Sequence, residues 1–180
     1  MKPIVTVPDN VLVTPAQTVT SFDKKLTALV ALMKRTLLAT RHPKGVGLAA
    51  PQIGESYRVF VTKHAPKAGV RVFVNPEITK RSKVLTEGIP ERENKLEGCL
   101  SIPRVWGQVR RAASLALKYQ DEKGEPHEET FDGFLATIIQ HEVDHLSGVL
   151  FTQRVLEQGG KLFQPVKDKD GKEALEEILL

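Results

Sequence analysis

Gln140-His141-Glu142-Val143-Asp144-His145 is the stretch on which the reading of this chain turns. Two histidines four residues apart share one face of a helix, so both imidazoles can reach a single metal ion. Glu142 follows the first histidine directly, about 100° further round a helix of 3.6 residues per turn. That offset sets its carboxylate beside the ion's open position, where it can accept a proton from water, and not among the ligands. The flanking residues have a helical period. Phe134, Leu135, Ile138, Ile139 and Leu146 recur at helical spacing, with Asp132 as N-cap and Gly148 as stop. The same residues would also suit an amphipathic helix with no metal, and the motif leaves a third ligand to be found.

Just before this helix, Ser114–Gln120 alternates as a strand, Asp121-Glu122-Lys123-Gly124 turns, and Glu128–Phe131 returns. Upstream again, Glu97-Gly98-Cys99-Leu100-Ser101-Ile102-Pro103 sets the only cysteine beside a glycine. Lys80 to Leu96 is charged and aperiodic, an exposed loop with at most a short strand. Tyr57–Thr62 and Val70–Val74 read as a pair of strands closed by Asn75-Pro76. Gly45 to Gly54 is small and uncharged. Its glycines allow another chain to approach the backbone or permit positive φ, and it lacks the G-K-[ST] and G-x-G-x-x-G patterns of phosphate loops.

A helix is predicted from near Thr20, where Thr20-Ser21-Phe22-Asp23 resembles a capping box. Leu26, Leu29, Val30, Met33 and Leu37 form its stripe and His42-Pro43-Lys44-Gly45 its end. Residues 1–19 are extended or irregular. After the motif helix, Val149–Thr152 is a short strand candidate, and the polar tail from Val155 carries a short terminal helix at Ala174, Leu175, Ile178 and Leu179. The fold class expected is α+β: mostly antiparallel β-sheets packed around a central metal-binding helix. One domain spans residues 1–180, with the structure of 156–180 left open.

The 180 residues suffice for one domain with a real core. No apolar run has the length of a membrane span, and the N-terminus lacks a signal or transit layout, so the expected location is cytoplasmic with no membrane partner. A net charge of +4 is far from the basic footprint of a dedicated nucleic-acid binder, so no DNA is expected.

For the third ligand the sequence offers Cys99, His42, His64, His127 and many carboxylates. A lone cysteine is more often a buried filler. On chemistry, however, Cys99 is the best candidate, because a thiolate binds a borderline-soft divalent ion strongly and offsets its charge. Two histidines and one cysteine leave a fourth position for water, the layout of a catalytic site. His42, His64 and His127 lie in charged or Pro- and Gly-containing stretches and read as surface residues.

Three stretches together resemble the peptide deformylase family: G-x-G-L-A-A-x-Q at Gly45–Gln52, E-G-C-L-S at Glu97–Ser101, and Q-H-E-x-D-H at Gln140–His145. They occur in the family's order, and the resemblance runs from about Val7 to Phe151. It implies Cys99, His141 and His145 as metal ligands and Glu142 as general base, then general acid. It implies the Gln52 side chain and the Leu100 backbone N–H as donors to the formyl oxygen. The metal implied is Fe2+, with Zn2+, Ni2+ or Co2+ also found in the family. The substrate implied is an N-formyl-methionyl peptide end, deformylated to formate during protein biosynthesis, with transient ribosome association. The peptide would lie along Gly45, Val46 and Gly47, with its methionine in a slot bounded by Gly45, Val46, Phe134, Ile138 and His141.

The chain also departs from the pattern. Trp106 stands where many members carry arginine, and a packing role is slightly favoured over a place at the pocket lip. The 80–96 loop is long. Arg111 and Asp144 suggest an ion pair behind His145. Two other readings stay open: a different H-E-x-x-H metallopeptidase, whose third ligand would be Glu157, Glu173, Glu176 or Glu177, and a non-enzymatic, metal-stabilised, ribosome-associated module.

Overall fold

The computed structural model describes residues 2–41, 44–65, 67–89, 95–167 and 173–179. Helix α1, Lys24–Ala39, begins three residues later than Thr20-Ser21 suggests, because Asp23 is the cap. Its carboxylate accepts from the N–H groups of Lys25 and Leu26. Leu26, Val30, Met33 and Leu37 are buried at helical spacing against Leu48, Val59, Val61 and Val74. The stop expected at His42-Pro43 lies outside the described residues.

Strands β1 (Gly47–Ala49), β2 (Val59–Thr62), β3 (Arg71–Arg81), β8 (Ser114–Gln120) and β9 (Pro126–Asp132) form one antiparallel sheet in the order β1-β2-β3-β8-β9. Asn75-Pro76 does close the β2–β3 pair, whose last partners are Val59 and Val74, but it does not end the strand. β3 runs through it, and a register shift between Val74 and Glu77 accommodates the proline, which has no N–H to give the ladder. Asn75 sits at φ 50°, where asparagine is tolerated, and its amide bonds both the N–H and the C=O of Val19.

A second sheet, in the order β11-β10-β6-β5, comprises β5 (Glu97–Cys99), β6 (Ile102–Gly107), β10 (Leu162–Lys167) and β11 (Glu173–Glu177). A third pairs β4 (Leu85–Glu87) with β7 (Arg110–Ala112), so the expected loop does carry one short strand. Residues 90–94 of that loop lie outside the described set.

Two expectations fail at the C-terminus. Val149–Thr152 is not a strand. It leads into helix α3, Phe151–Glu157, which buries Phe151 and Val155 one turn apart against Cys99, Ile102 and Val109. The terminal helix expected at Ala174, Leu175, Ile178 and Leu179 is not formed among the described residues, because Leu162–Lys167 and Glu173–Glu177 pair as antiparallel strands.

Helix α2, Gly133–Leu146, is the central element. Asp132 occupies its N-cap position without a side-chain cap bond, Ser147 follows its last residue, and Gly148 turns the chain at φ 71°. One face of α2, with Ala136, Ile139 and Leu146, packs on Phe60, Phe73, Leu115 and Phe131 of the first sheet. The opposite face looks toward β5, so α2 lies between the sheet that anchors it and the strand that bears Cys99.

Candidate metal centre and its cleft

His141 and His145 project from one face of α2, one turn apart, with ring centroids 5.0 Å apart. β5 brings Cys99 to them, its Sγ lying 3.1 Å from His145 Nε2. One ligand atom from each of Cys99, His141 and His145 lies within 4.8 Å of the others, the one such group of metal-binding side chains among the described residues. The alternative ligands are elsewhere. Glu157 pairs with Arg154 at 3.1 Å, while Glu173 and Glu176 are exposed on β11 and Glu177 bonds Lys161. His64 and His127 are at the surface, and His42 lies outside the described residues.

The electrostatics favour a cation. Burial opposes a charged Cys99, yet His145 and His141 beside it hold the thiol well below its ordinary value, which favours the thiolate. Burial likewise opposes a charged His141, but Cys99 and Glu97 hydrogen-bonded to it, with Glu142 nearby, raise its affinity for a proton well above the usual imidazole value. A site that draws a proton to an imidazole through anionic neighbours draws a divalent cation the same way. The donor set therefore fits a metal ion.

Glu97, which the sequence presents only as a member of the E-G-C-L-S motif, has a role of its own at the site. It is 2% exposed and accepts from Arg111 Nε at 2.6 Å and Nη2 at 2.9 Å, while its Oε2 lies 3.1 Å from His141 Nδ1. Despite burial, Arg111 and His141 hold its carboxyl down at about 2. In that position the carboxylate can accept from a proton on Nδ1 of His141, which would leave Nε2 to ligate a metal ion. The signal was present: residues two apart on a strand share a face, so Glu97 accompanies Cys99 wherever β5 points it. Arg111 also reaches Asp144 at 3.0 Å, and Asp144 in turn pairs with Arg154 at 2.8 Å, so the expected ion pair is part of a longer chain of charges.

The cleft beside the cluster is lined by Gly45, Val46, Gly47, Gln52, Leu100, Phe134, Ile138, His141 and Glu142, so every residue expected for substrate or proton handling borders one space. Glu142 is 4% exposed, and its Oε2 has no hydrogen-bond partner among the described residues. Burial pushes its carboxyl up to about 7, against the opposing pull of His141 and His145. Gln52 is held by its Oε1, which accepts from Ala49 N–H at 2.9 Å. Its Nε2 donates toward Ser101 Oγ at 3.2 Å and Cys99 Sγ at 3.4 Å. Gly47 is required by close approach, since a Cβ there would fall 2.2 Å from Glu142 Oε1.

Trp106 combines the slightly favoured packing role with the place at the pocket lip that was weighed against it. On β6, opposite Gly98, its indole lies where a Cβ on Gly98 would come within 2.6 Å, and it also forms a wall of the cleft. Ile89 and Thr137 line the same space and were not among the expected residues.

Fold and site together define a class of protein in which a helix set among antiparallel sheets carries two histidines that, with one cysteine, could hold a metal ion beside a cleft. Residues 1–160 match the family model described as polypeptide deformylase. Peptide deformylase 1 of Bacillus subtilis is 44% identical over 155 residues, covering 86% of this chain and 90% of the relative. The peptide deformylase of Treponema pallidum is 41% identical over 147 residues, 82% of this chain and 83% of the relative. Among solved structures, the Met-Ala-Ser-bound class I type b peptide deformylase of Acinetobacter baumannii aligns with a TM-score of 0.76 at 37% identity, over 86% of this chain and 98% of that one. The peptide deformylase of Thermotoga maritima aligns at 0.76 and 38%, over 86% and 97%. The chain belongs to the polypeptide deformylase family.

Proposed function

We propose that this cleft hydrolyses the N-formyl amide of polypeptides that begin with formyl-methionine, releasing formate and a free amino terminus, with Glu142 as the proton carrier. The observation that carries this reading is the buried, unpartnered Oε2 of Glu142 beside the Cys99–His141–His145 cluster. A proton acceptor poised near neutrality and facing a cleft suits general acid–base work.

Cys99, His141 and His145 would hold the metal. We assign Fe2+, with Zn2+, Ni2+ or Co2+ as ions the same donors accept. Such an ion lowers the pKa of water and polarises a carbonyl oxygen. Glu142 takes a proton from the water that attacks the formyl carbon, then returns it to the leaving nitrogen as the C–N bond breaks. Gln52 Nε2 exchanges its weak contact with Cys99 Sγ for the developing oxyanion, and the Leu100 N–H is the second donor. Gly45, Val46 and Gly47 give the peptide a backbone to lie against as an added strand. Phe134 and Ile138 on α2 enclose the methionine side chain, an unbranched thioether suited to an apolar slot.

We take the whole chain, hairpin included, as one catalytic unit. Because formylated starts belong to nascent chains, we place the enzyme in the cytoplasm with transient ribosome association. No helix among the described residues is long and apolar enough to cross a membrane. The test is formate release from formyl-Met-Ala-Ser set against cleavage of an internal peptide bond, run anaerobically on metal-quantified protein. Formate without internal cleavage is expected. Internal cleavage without formate would mark a metallopeptidase instead, and neither activity a binding module.

A further inference from the structure

The slot that the sequence bounds with Gly45, Val46, Phe134, Ile138 and His141 also contains one hydroxyl. Phe134, Thr137, Ile138 and His141 fall at i, i+3, i+4 and i+7 of α2, which is one face of a helix, and all four line the cleft. Thr137 stands in the middle of that face. It is 2% exposed, and its Oγ1 has no hydrogen-bond partner among the described residues. A threonine within a helix commonly gives its hydroxyl to the carbonyl four residues back, and here that bond is not made. A buried hydroxyl left without an acceptor is unfavourable, so an acceptor delivered by a ligand gains what the empty slot lacks.

We propose that Thr137 is a specificity residue: its hydroxyl donates to an acceptor near the end of the substrate's first side chain. The proposal rests on the deformylase reading and names which formyl peptides that cleft prefers. Methionine offers a thioether sulfur, a weak acceptor, whereas norleucine has the same shape with a methylene in its place and offers none. Methionine sulfoxide offers a polar S=O oxygen at the same position of the side chain. The cleft therefore ranks formyl-Met above formyl-norleucine, and it deformylates peptides whose initiating methionine has been oxidised to the sulfoxide. The bond broken is the same formyl C–N bond, and the sulfoxide passes through unchanged.

The experiment compares kcat/KM for three formyl peptides, X-Ala-Ser with X as Met, norleucine or Met sulfoxide, on metal-quantified wild type and Thr137→Val. In the wild type, Met should exceed norleucine by about threefold to tenfold, the span given by a neutral hydrogen bond of modest net strength. Thr137→Val keeps the shape and removes the donor. It should bring Met and norleucine level and lower sulfoxide turnover at least about tenfold relative to norleucine. If Thr137→Val fails to fold, Thr137→Ser and Thr137→Ala form the second pair, with the order kept by serine and lost with alanine. Ratios unchanged by loss of the hydroxyl, or a wild type that does not separate Met from norleucine, overturn the proposal. Binding of the deformylated peptides Met-Ala-Ser and norleucyl-Ala-Ser, followed by calorimetry, gives a readout independent of turnover. Met-selective binding that depends on Thr137 in a protein releasing no formate would leave this proposal standing and remove the deformylase reading. Formate release with no Thr137 dependence in either readout does the reverse.

Discussion

An alanine at position 47 would place a methyl carbon 2.2 Å from Oε1 of Glu142, 2.8 Å from its Cδ and 3.0 Å from its Cγ. Ordinary carbon–oxygen contact begins more than an ångström further out, so something must move by roughly 1 Å. Gly47 cannot retreat easily, because β1 is buried and paired with Thr62 of β2. The carboxylate is the freer partner. A displacement of that size in a reacting group costs about 10²-fold in rate. Overpacking at a buried position costs about 1–3 kcal/mol of stability. Gly47→Ala should therefore fold, retain its metal and lose about two orders of magnitude in kcat for formate release. Gly69→Ala is the control, since a Cβ there meets nothing within 4 Å. Measuring metal content and thermal midpoint on the same preparations separates misplacement from unfolding. Turnover of Gly47→Ala within about threefold of the wild type, at equal metal content, would refute the argument that this glycine exists to seat Glu142.

Three further outcomes follow from the site. Glu142→Gln should keep fold and metal and lose deformylation by about 10²–10⁴-fold, and near-normal turnover in the metal-replete variant would remove its role. Cys99, the sole thiol, should resist alkylation in the metal-loaded protein and react once a chelator has acted, with equal labelling in both states counting against coordination. Glu97 has a folded pKa of about 2, below its ordinary 4.5, so its contribution to stability is full above about 4.5 and is lost as pH falls toward 2. Glu97→Ala leaves the buried Arg111 with Asp144 as its one remaining anionic partner and should cost up to about 3–5 kcal/mol by denaturant titration and flatten that acid limb. An unchanged acid limb would contradict the assignment.

Much of the site was legible because α2 has both period and punctuation: an apolar stripe, Asp132 before it and Gly148 after it. Its histidines need no partner element to declare their spacing. β6 and β7 were invisible for the opposite reason. Ile102–Gly107 contains Pro103, Arg104 and Gly107, and Arg110–Ala112 is mostly charge, so neither alternates. They are strands because Glu97, Gly98 and Thr86 pair with them across the sheet. In the tail, Glu173-Ala174-Leu175-Glu176-Glu177 is composed of good helix formers, yet each residue pairs with one of Phe163 to Lys167. Long-range pairing overrides local preference there. Phe151 starts a helix because it and Val155 are buried together, a contact that Val149 to Thr152 read in isolation do not reveal. Thr137 does not stand out in the sequence because the apolar residues around it set the period of the stripe, although its position, three after Phe134, puts it on the same face.

Trp106 is the only tryptophan in the chain, and its ring stands at the wall of the cleft. Selectively excited indole emission from this protein therefore comes from one address, a few ångströms from where a peptide must lie. No label has to be attached and no second fluorophore of the same kind has to be subtracted. Its emission should shift when a peptide excludes water from the cleft, whether or not the bond is cut. The opposite side of β6 adds a second use: Phe163 of the C-terminal hairpin is registered against Trp106, just beyond the segment shared with the family model. Shortening the chain before Leu162 removes that neighbour, so the same optical signal reports how far the hairpin shapes the entrance.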